Sequence, residues 1–163
     1  MPGHRLEQDG PRHGRFVPLD GGPIIAVTER VERRFLGHTE IAQFRVVSPA
    51  TDSGSARITI RHTGKLRRQG VAVEVPSGDQ ATRHLAEGIG NDDAFTSSVM
   101  TLDFTRFELV RADGQWSSTV ELMGASYVSL ALPPMRSYVR LHPDQRQALV
   151  ETLTALNSLL EVG

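Results

Sequence analysis

The side chains able to do chemistry are spread thinly along the chain, and their spacing limits what each can do. The histidines are His4, His13, His38, His62, His84 and His142, and no two of them stand at metal-ligand spacing. His38 and Glu40 are two apart. On a strand they would share a side, as two ligands or an acid–base pair; in a turn they are ordinary polar groups, and the turn is the preferred reading. His84 and Glu87, three apart on a predicted helix, read as a surface ion pair, because di-iron bundles use the reverse order, Glu-x-x-His, contributed twice. Asn91-Asp92-Asp93 with Asp103 is the densest carboxylate region. A helix N-cap explains it better than a cation site, since the EF-hand pattern is missing.

No cysteine is present, which excludes a disulfide scaffold, a thiolate metal site and a thiol nucleophile. There is no GxSxG, HExxH, P-loop or dinucleotide fingerprint. The lone Gly88-Ile89-Gly90 follows a helix instead of opening one, so the helix dipole there has the wrong sign for phosphate. The catalytic residues are therefore unknown, and no metal or cofactor is expected.

Charge is more informative. Lys65 is the only lysine among 18 basic residues, an imbalance that GC-rich coding produces by itself. The stretch 56–75 holds Arg57, Arg61, Lys65, Arg67 and Arg68 against Glu74 alone, a net +4 that leaves −5 for the rest of a chain whose total is −1. On a hairpin these five cations form a candidate anion- or partner-binding site. The stretch has no aromatic residue for base stacking and the sequence pI is about 6.6, so nucleic acid is disfavoured.

The elements that must position these groups follow from patterning. Residues 1–15 are polar and punctuated by Gly and Pro, and read as a flexible N-terminal arm; a single domain spans 16–163. Ile24 to Val47 reads as a hairpin, although Thr28–Leu36 fits a helix period equally well, and Gly37-His38-Thr39 reads as its turn. Arg57–His62 and Val71–Val75 form a second hairpin around the basic turn 64–70. Ser77 and Gln80 have capping-box spacing for a helix over 79–87, which Gly88 and Gly90 would stop. A second short helix would place Phe95, Val99 and Leu102 on one face, against a competing extended reading.

Asp113-Gly114 is the strongest local signal, a two-residue type I′ turn. It sets facing residues to sum to 227: Thr105 with Leu122, Arg106 with Glu121, Phe107 with Val120, Leu109 with Ser118, and Arg111 over Trp116 as a cation–π pair. Gly124 marks a turn or a bulge, Tyr138–Leu141 a last strand, and Pro143–Leu160 a helix with a Leu149, Leu153, Leu156, Leu160 stripe.

The order of elements predicts an α+β fold: a mainly antiparallel, meander-like sheet with a helical middle segment and a long C-terminal amphipathic helix packed on one face. Function is unassigned. The expected class is a non-enzymatic binding domain, a homodimer through an open edge strand, with a protein or small-molecule partner. The alternative is a ligand carrier or enzyme with a pocket between sheet and C-terminal helix, where Arg106, Tyr127, Arg136, Tyr138 and His142 would be the polar groups. No apolar run approaches a membrane span and no signal peptide is visible, so the expected setting is cytoplasmic with no membrane partner.

Overall fold

The computed structural model describes residues 3–10, 13–19, 21–35, 37–64, 68–130 and 134–162. Among the described residues, nine strands form one antiparallel sheet: β1 (His4–Gly10), β2 (His13–Pro18), β3 (Ile25–Arg34), β4 (Gly37–Pro49), β5 (Ala56–Thr63), β6 (Gly70–Ser77), β7 (Phe104–Ala112), β8 (Gln115–Leu130) and β9 (Met135–Val139). The order across the sheet is β1-β2-β3-β4-β8-β7-β5-β6, with β9 added beside the second half of β8. Helices α1 (Gln80–Asn91), α2 (Asp93–Thr101) and α3 (Pro143–Val162) share one face: α2 packs on α3, α1 on β6, and α3 on β4. The fold is α+β, with the helical middle and the C-terminal helix where the patterning places them.

The period of two sorts the strands. On the helix-covered face, Ile58 and Ile60 of β5, Leu109 of β7, Val120 and Leu122 of β8, and Phe44 of β4 meet Ile89, Phe95, Val99, Leu149, Leu153 and Leu156 in one core. Two polar links tie the layers. Ser48 Oγ donates to Asn157 Oδ1 of α3 at 2.6 Å, and the buried Ser98 and Thr152 hydroxyls share a bond of 2.8 Å between α2 and α3. Buried hydroxyls need such partners, because an unpaired one costs about 1–3 kcal/mol.

The helix/strand ambiguity resolves as strand from Thr28 to Arg34, where β3 pairs β4 from Ala26↔Arg45 to Arg34↔Gly37; Leu36 lies outside the described residues. The turn lies earlier than expected, and His38 and Glu40 are already on β4. The expected N-terminal arm also carries structure, since His4–Gly10 and His13–Pro18 pair as a hairpin along the sheet edge. Their polarity is compatible with this pairing, because an edge hairpin needs little apolar burial. Cross-strand ion pairs, Arg15 to Glu7 at 3.6 Å and to Asp9 at 3.1 Å, take its place.

Helix α1 departs from expectation at both ends. Its N-cap is Asp79, whose Oδ1 accepts from Thr82 N at 2.8 Å and Thr82 Oγ1 at 2.7 Å, so Ser77 and Gln80 form no capping box. It also runs through Gly88 and Gly90 to Asn91, because Ile89 between them is fully buried and tertiary packing outweighs the roughly 1 kcal/mol helix cost of a glycine. Asp92 caps α2 by accepting from Phe95 N at 2.7 Å, the role assigned to this carboxylate cluster. Asp103 is taken by Arg68 at 2.5 Å.

Candidate functional site

The site begins with an irregularity in β8. Up to Leu122 this strand pairs with β4 on one side and β7 on the other. The next pair with β4 after Ala42↔Leu122 is Glu40↔Tyr127, so residues 123–126 stand opposite Ile41 alone. The excess backbone is tied locally: Met123 N donates to the Asp103 carbonyl at 3.0 Å, and the buried Ser126 hydroxyl to the Leu122 carbonyl at 2.9 Å. Ala125 sits at φ 65, a left-handed conformation that L side chains disfavour. A bulge of this kind bends its strand. Beyond it β8 leaves β7 and takes β9 as partner.

The chain from β9 to α3 crosses this bulge. A Cβ on Gly124 would lie 2.6 Å from Leu141 Cδ1, so the missing side chain is what lets Leu141 seat there. His142 then caps α3. Its carbonyl accepts from Arg146 N at 3.0 Å, and its N–H donates to Gln145 Oε1 at 3.4 Å, the reciprocal half of a capping box, with Pro143 in the first helical position.

Between the outer strands and this crossing lies a cleft of about 560 Å³. Its apolar lining is Phe16, Val27, Ala42, Phe44, Ala125 and Leu141. Its polar lining is Glu29, Tyr138, Arg140 and Arg146. Among the described residues neither Arg140 nor Arg146 has a carboxylate partner, and both are exposed. The cleft therefore offers a greasy floor and a mouth with two guanidiniums to one carboxylate.

Of the five pocket groups expected from sequence, only Tyr138 lines this cleft. Tyr127 faces Tyr138 across β8 and β9, and its ring lies 6.1 Å from that of His38, tilted by 46°. Arg136 faces Ser129 further along β9, and His142, whose backbone caps α3, is not among the residues lining the cleft. Arg106 lies on the helix-free face of the sheet. There Arg30, Gln43 and Arg106 surround Glu121, which is 1% exposed, with Arg30 at 3.2 and 2.8 Å, Gln43 Nε2 at 2.7 Å and Arg106 at 3.7 Å. Burial pushes the Glu121 carboxyl up; the hydrogen bonds from Arg30 and Gln43 and the nearby charges reverse this and hold it below the usual carboxylate range. That face forms a concave polar surface of about 540 Å³ that includes Thr28, Arg45, Glu108 and Thr119.

Arg140 and Arg146 were missed. No local signal distinguishes them: Arg146 follows Asp144, the acid of the first turn of α3, so the helix N-terminus is not left opposed by an uncompensated cation.

Where it is described, each cation of the basic hairpin has a carboxylate within 4.0 Å. Arg57 lies 4.0 Å from Glu108, Arg61 pairs with Glu74, and Arg68 donates to Asp103. Glu108 and Asp103 come from β7 and its approach, so a count along residues 56–75 cannot see them. Lys65 and Arg67 lie outside the described residues. His38 and Glu40 are 3.7 Å apart on β4, and His84 and Glu87, both exposed, 3.5 Å apart on α1. Among the described residues no group of three His, Asp or Glu could hold a metal ion, and no helix is long and apolar enough to cross a membrane.

No curated protein and no solved structure matches this chain. A family model does: it matches residues 1–160, nearly the whole length, and the chain thereby belongs to the family described as protein of unknown function DUF3156.

Proposed function

We propose that this protein is a non-enzymatic, cytoplasmic binder of a small amphipathic anion, a molecule with an apolar body and a carboxylate head. The observation that carries this reading is the cleft itself: about 560 Å³, floored by Phe16, Val27, Phe44 and Leu141, with Arg140 and Arg146 at its mouth and no carboxylate paired to either among the described residues. Ligand sites in proteins have this composition, a mainly apolar concavity with a few polar groups that orient the guest. Guanidinium presents the planar fork that matches a carboxylate in two hydrogen bonds. The remaining polar groups, Glu29 and the Tyr138 phenol, set no nucleophile against a base, which suits recognition more than turnover.

The test is calorimetric titration with decanoate, decanol and decylamine. Decanoate is expected to bind and to raise the melting temperature, as any ligand of the native state does. Decanol should bind weakly and decylamine not at all. Arg140→Ala and Arg146→Ala should each weaken decanoate by about tenfold to a hundredfold, the value of a charge-assisted hydrogen bond of about 1.5–3 kcal/mol. Equal affinity for decanoate and decylamine, or no heat from any of the three, overturns the reading.

A further inference from the structure

β2 pairs with β3 only up to Thr28, and β7 pairs with β8 only between Gln115 and Leu122. Beyond those points β3, β4, β8 and β9 continue together, and their pairing sets two adjacent rows of side chains. One row reads Val31↔Glu40↔Tyr127↔Tyr138, the next Arg33↔His38↔Ser129↔Arg136. Residues two apart on a strand, and residues directly opposite across a ladder, stand on one face of a sheet. All eight therefore share a face with Val27 of β3 and Phe44 of β4, which line the cleft.

The charges of the second row are unlike those elsewhere on the sheet. On the helix-free face Arg15, Arg30, Arg57, Arg61 and Arg106 each have a carboxylate within 4.0 Å. Arg33 and Arg136 have none among the described residues, and both are exposed. They stand at opposite ends of their row, three strand spacings or roughly 14 Å apart, with the His38 imidazole and the Ser129 hydroxyl between them. Each guanidinium stem is long enough to lean inward over these two groups. The one acid of the two rows, Glu40, lies 3.7 Å from His38 Nε2. The first row adds rings: Tyr127, 6.1 Å from the His38 ring, and directly opposite it Tyr138, which is 60% exposed.

We propose that this face binds a small phosphate monoester carrying a flat ring, with the phosphate over His38 and Ser129 between Arg33 and Arg136, and the ring against Tyr138. Two guanidiniums and a hydroxyl reach such a guest from different directions, which suits the three free oxygens and double charge of a phosphate. A carboxylate, planar and singly charged, is satisfied by the fork of one arginine. Cations that converge without counterions concentrate positive potential at one place. The exposed face of a tyrosine takes a planar body by stacking. In the sequence His38 and Glu40 read as polar groups of a turn; strand pairing is what sets His38 opposite Ser129, between two arginines distant in the chain. The inference stands apart from the reading of the cleft, although Tyr138 borders both.

The experiment is calorimetric titration of the full chain with phenyl phosphate, inorganic phosphate and benzoate. Phenyl phosphate is expected to bind. Inorganic phosphate should bind about fivefold to a hundredfold more weakly for want of the ring, and benzoate about tenfold more weakly for want of the second charge. Arg33→Ala and Arg136→Ala should each weaken phenyl phosphate by about tenfold to a hundredfold, with unchanged thermal unfolding because both side chains are exposed. Tyr138→Ala should erase the margin over inorganic phosphate. Arg83→Ala, which removes an exposed cation of α1, should leave the affinity as it is. No heat from phenyl phosphate overturns the proposal, as does affinity for it no greater than for benzoate or inorganic phosphate. Binding that survives Arg33→Ala and Arg136→Ala but falls with Arg146→Ala also overturns it, by placing the anion in the cleft. Decanoate is titrated separately, so failure here leaves the reading of the cleft standing.

Discussion

Glu121 and Arg111 are both buried charges, on opposite faces of the sheet, and each is compensated by partners distant in sequence. Arg111, 5% exposed, donates Nε to the Gly54 carbonyl at 2.8 Å and Nη2 to Asp79 at 2.9 Å, and its guanidinium lies 5.3 Å from the Trp116 ring centre. The pairing over Trp116 follows from the Asp-Gly turn; the anchor to the α1 N-cap does not, because only the fold brings residue 79 to residue 111. Glu121 allows a sharper test. Its carboxyl is held below the usual range, so the stabilisation it contributes is complete above the ordinary glutamate value of about 4.3 and is lost as pH falls through the lower, folded-state value. Glu121→Gln is expected to cost about 2 kcal/mol at neutral pH; removing one member of a buried pair costs about 3–5, and the roughly one-third exposure of Arg30 discounts that. Urea unfolding at neutral and at strongly acidic pH measures it: the gap between variant and wild type should narrow in acid. A constant gap would place the cost in packing and not in charge.

The β7–β8 hairpin was the most legible element. Asp113 and Gly114 both take positive φ, 53 and 70, as a type I′ turn requires, and the register follows without a break from Ala112↔Gln115 to Arg106↔Glu121, with Phe107↔Val120, Leu109↔Ser118 and Arg111↔Trp116 all observed. The register then slips by one, so that Phe104 and not Thr105 faces Leu122. The slip sits where Met123 N reaches back to the Asp103 carbonyl, a tertiary choice with no local signal. Only a location between sheet and last helix was legible for the cleft; Tyr138 lines it and Arg106 and Arg136 do not, since which side chains face a cavity depends on that same bulge. The bulge can be probed directly. Ala125 holds a left-handed φ of 65, and Ala125→Gly removes that strain at the cost of extra unfolded-chain entropy. A net gain of up to about 1 kcal/mol in thermal unfolding is expected. Gly124→Ala should act differently: its Cβ displaces Leu141 from the cleft wall, so decanoate affinity should change by more than stability does. Loss of stability without a change in affinity would detach Leu141 from the site.

At the scale of the molecule, an open nine-stranded sheet ends in β1 on one side and β6 on the other, and the two ends are chemically unlike. β1 carries Arg5, Glu7 and Asp9, with Arg5 and Glu7 paired at 2.6 Å, the kind of charge that natural edges use to discourage further strands. β6 is Gly-Val-Ala-Val-Glu-Val-Pro-Ser, with Glu74 as its one charge and that charge taken by Arg61. Pro76 belongs there because a proline is tolerated only where no ladder donor is needed. A second copy is therefore expected to add at β6, in antiparallel fashion about a twofold axis, and the chain should scatter light as a dimer at high concentration. The absence of cysteine makes the geometry testable without background. In a twofold antiparallel pair only residues near the axis face their own counterparts within the roughly 4.4–6.8 Å between Cα atoms that a disulfide spans. Of Ala72→Cys and Glu74→Cys, at most one should cross-link on mild oxidation, while Arg5→Cys on β1 should stay monomeric. Cross-linking of both β6 positions to a similar extent would indicate collision instead of pairing, and a monomer by light scattering would leave β6 an unused edge.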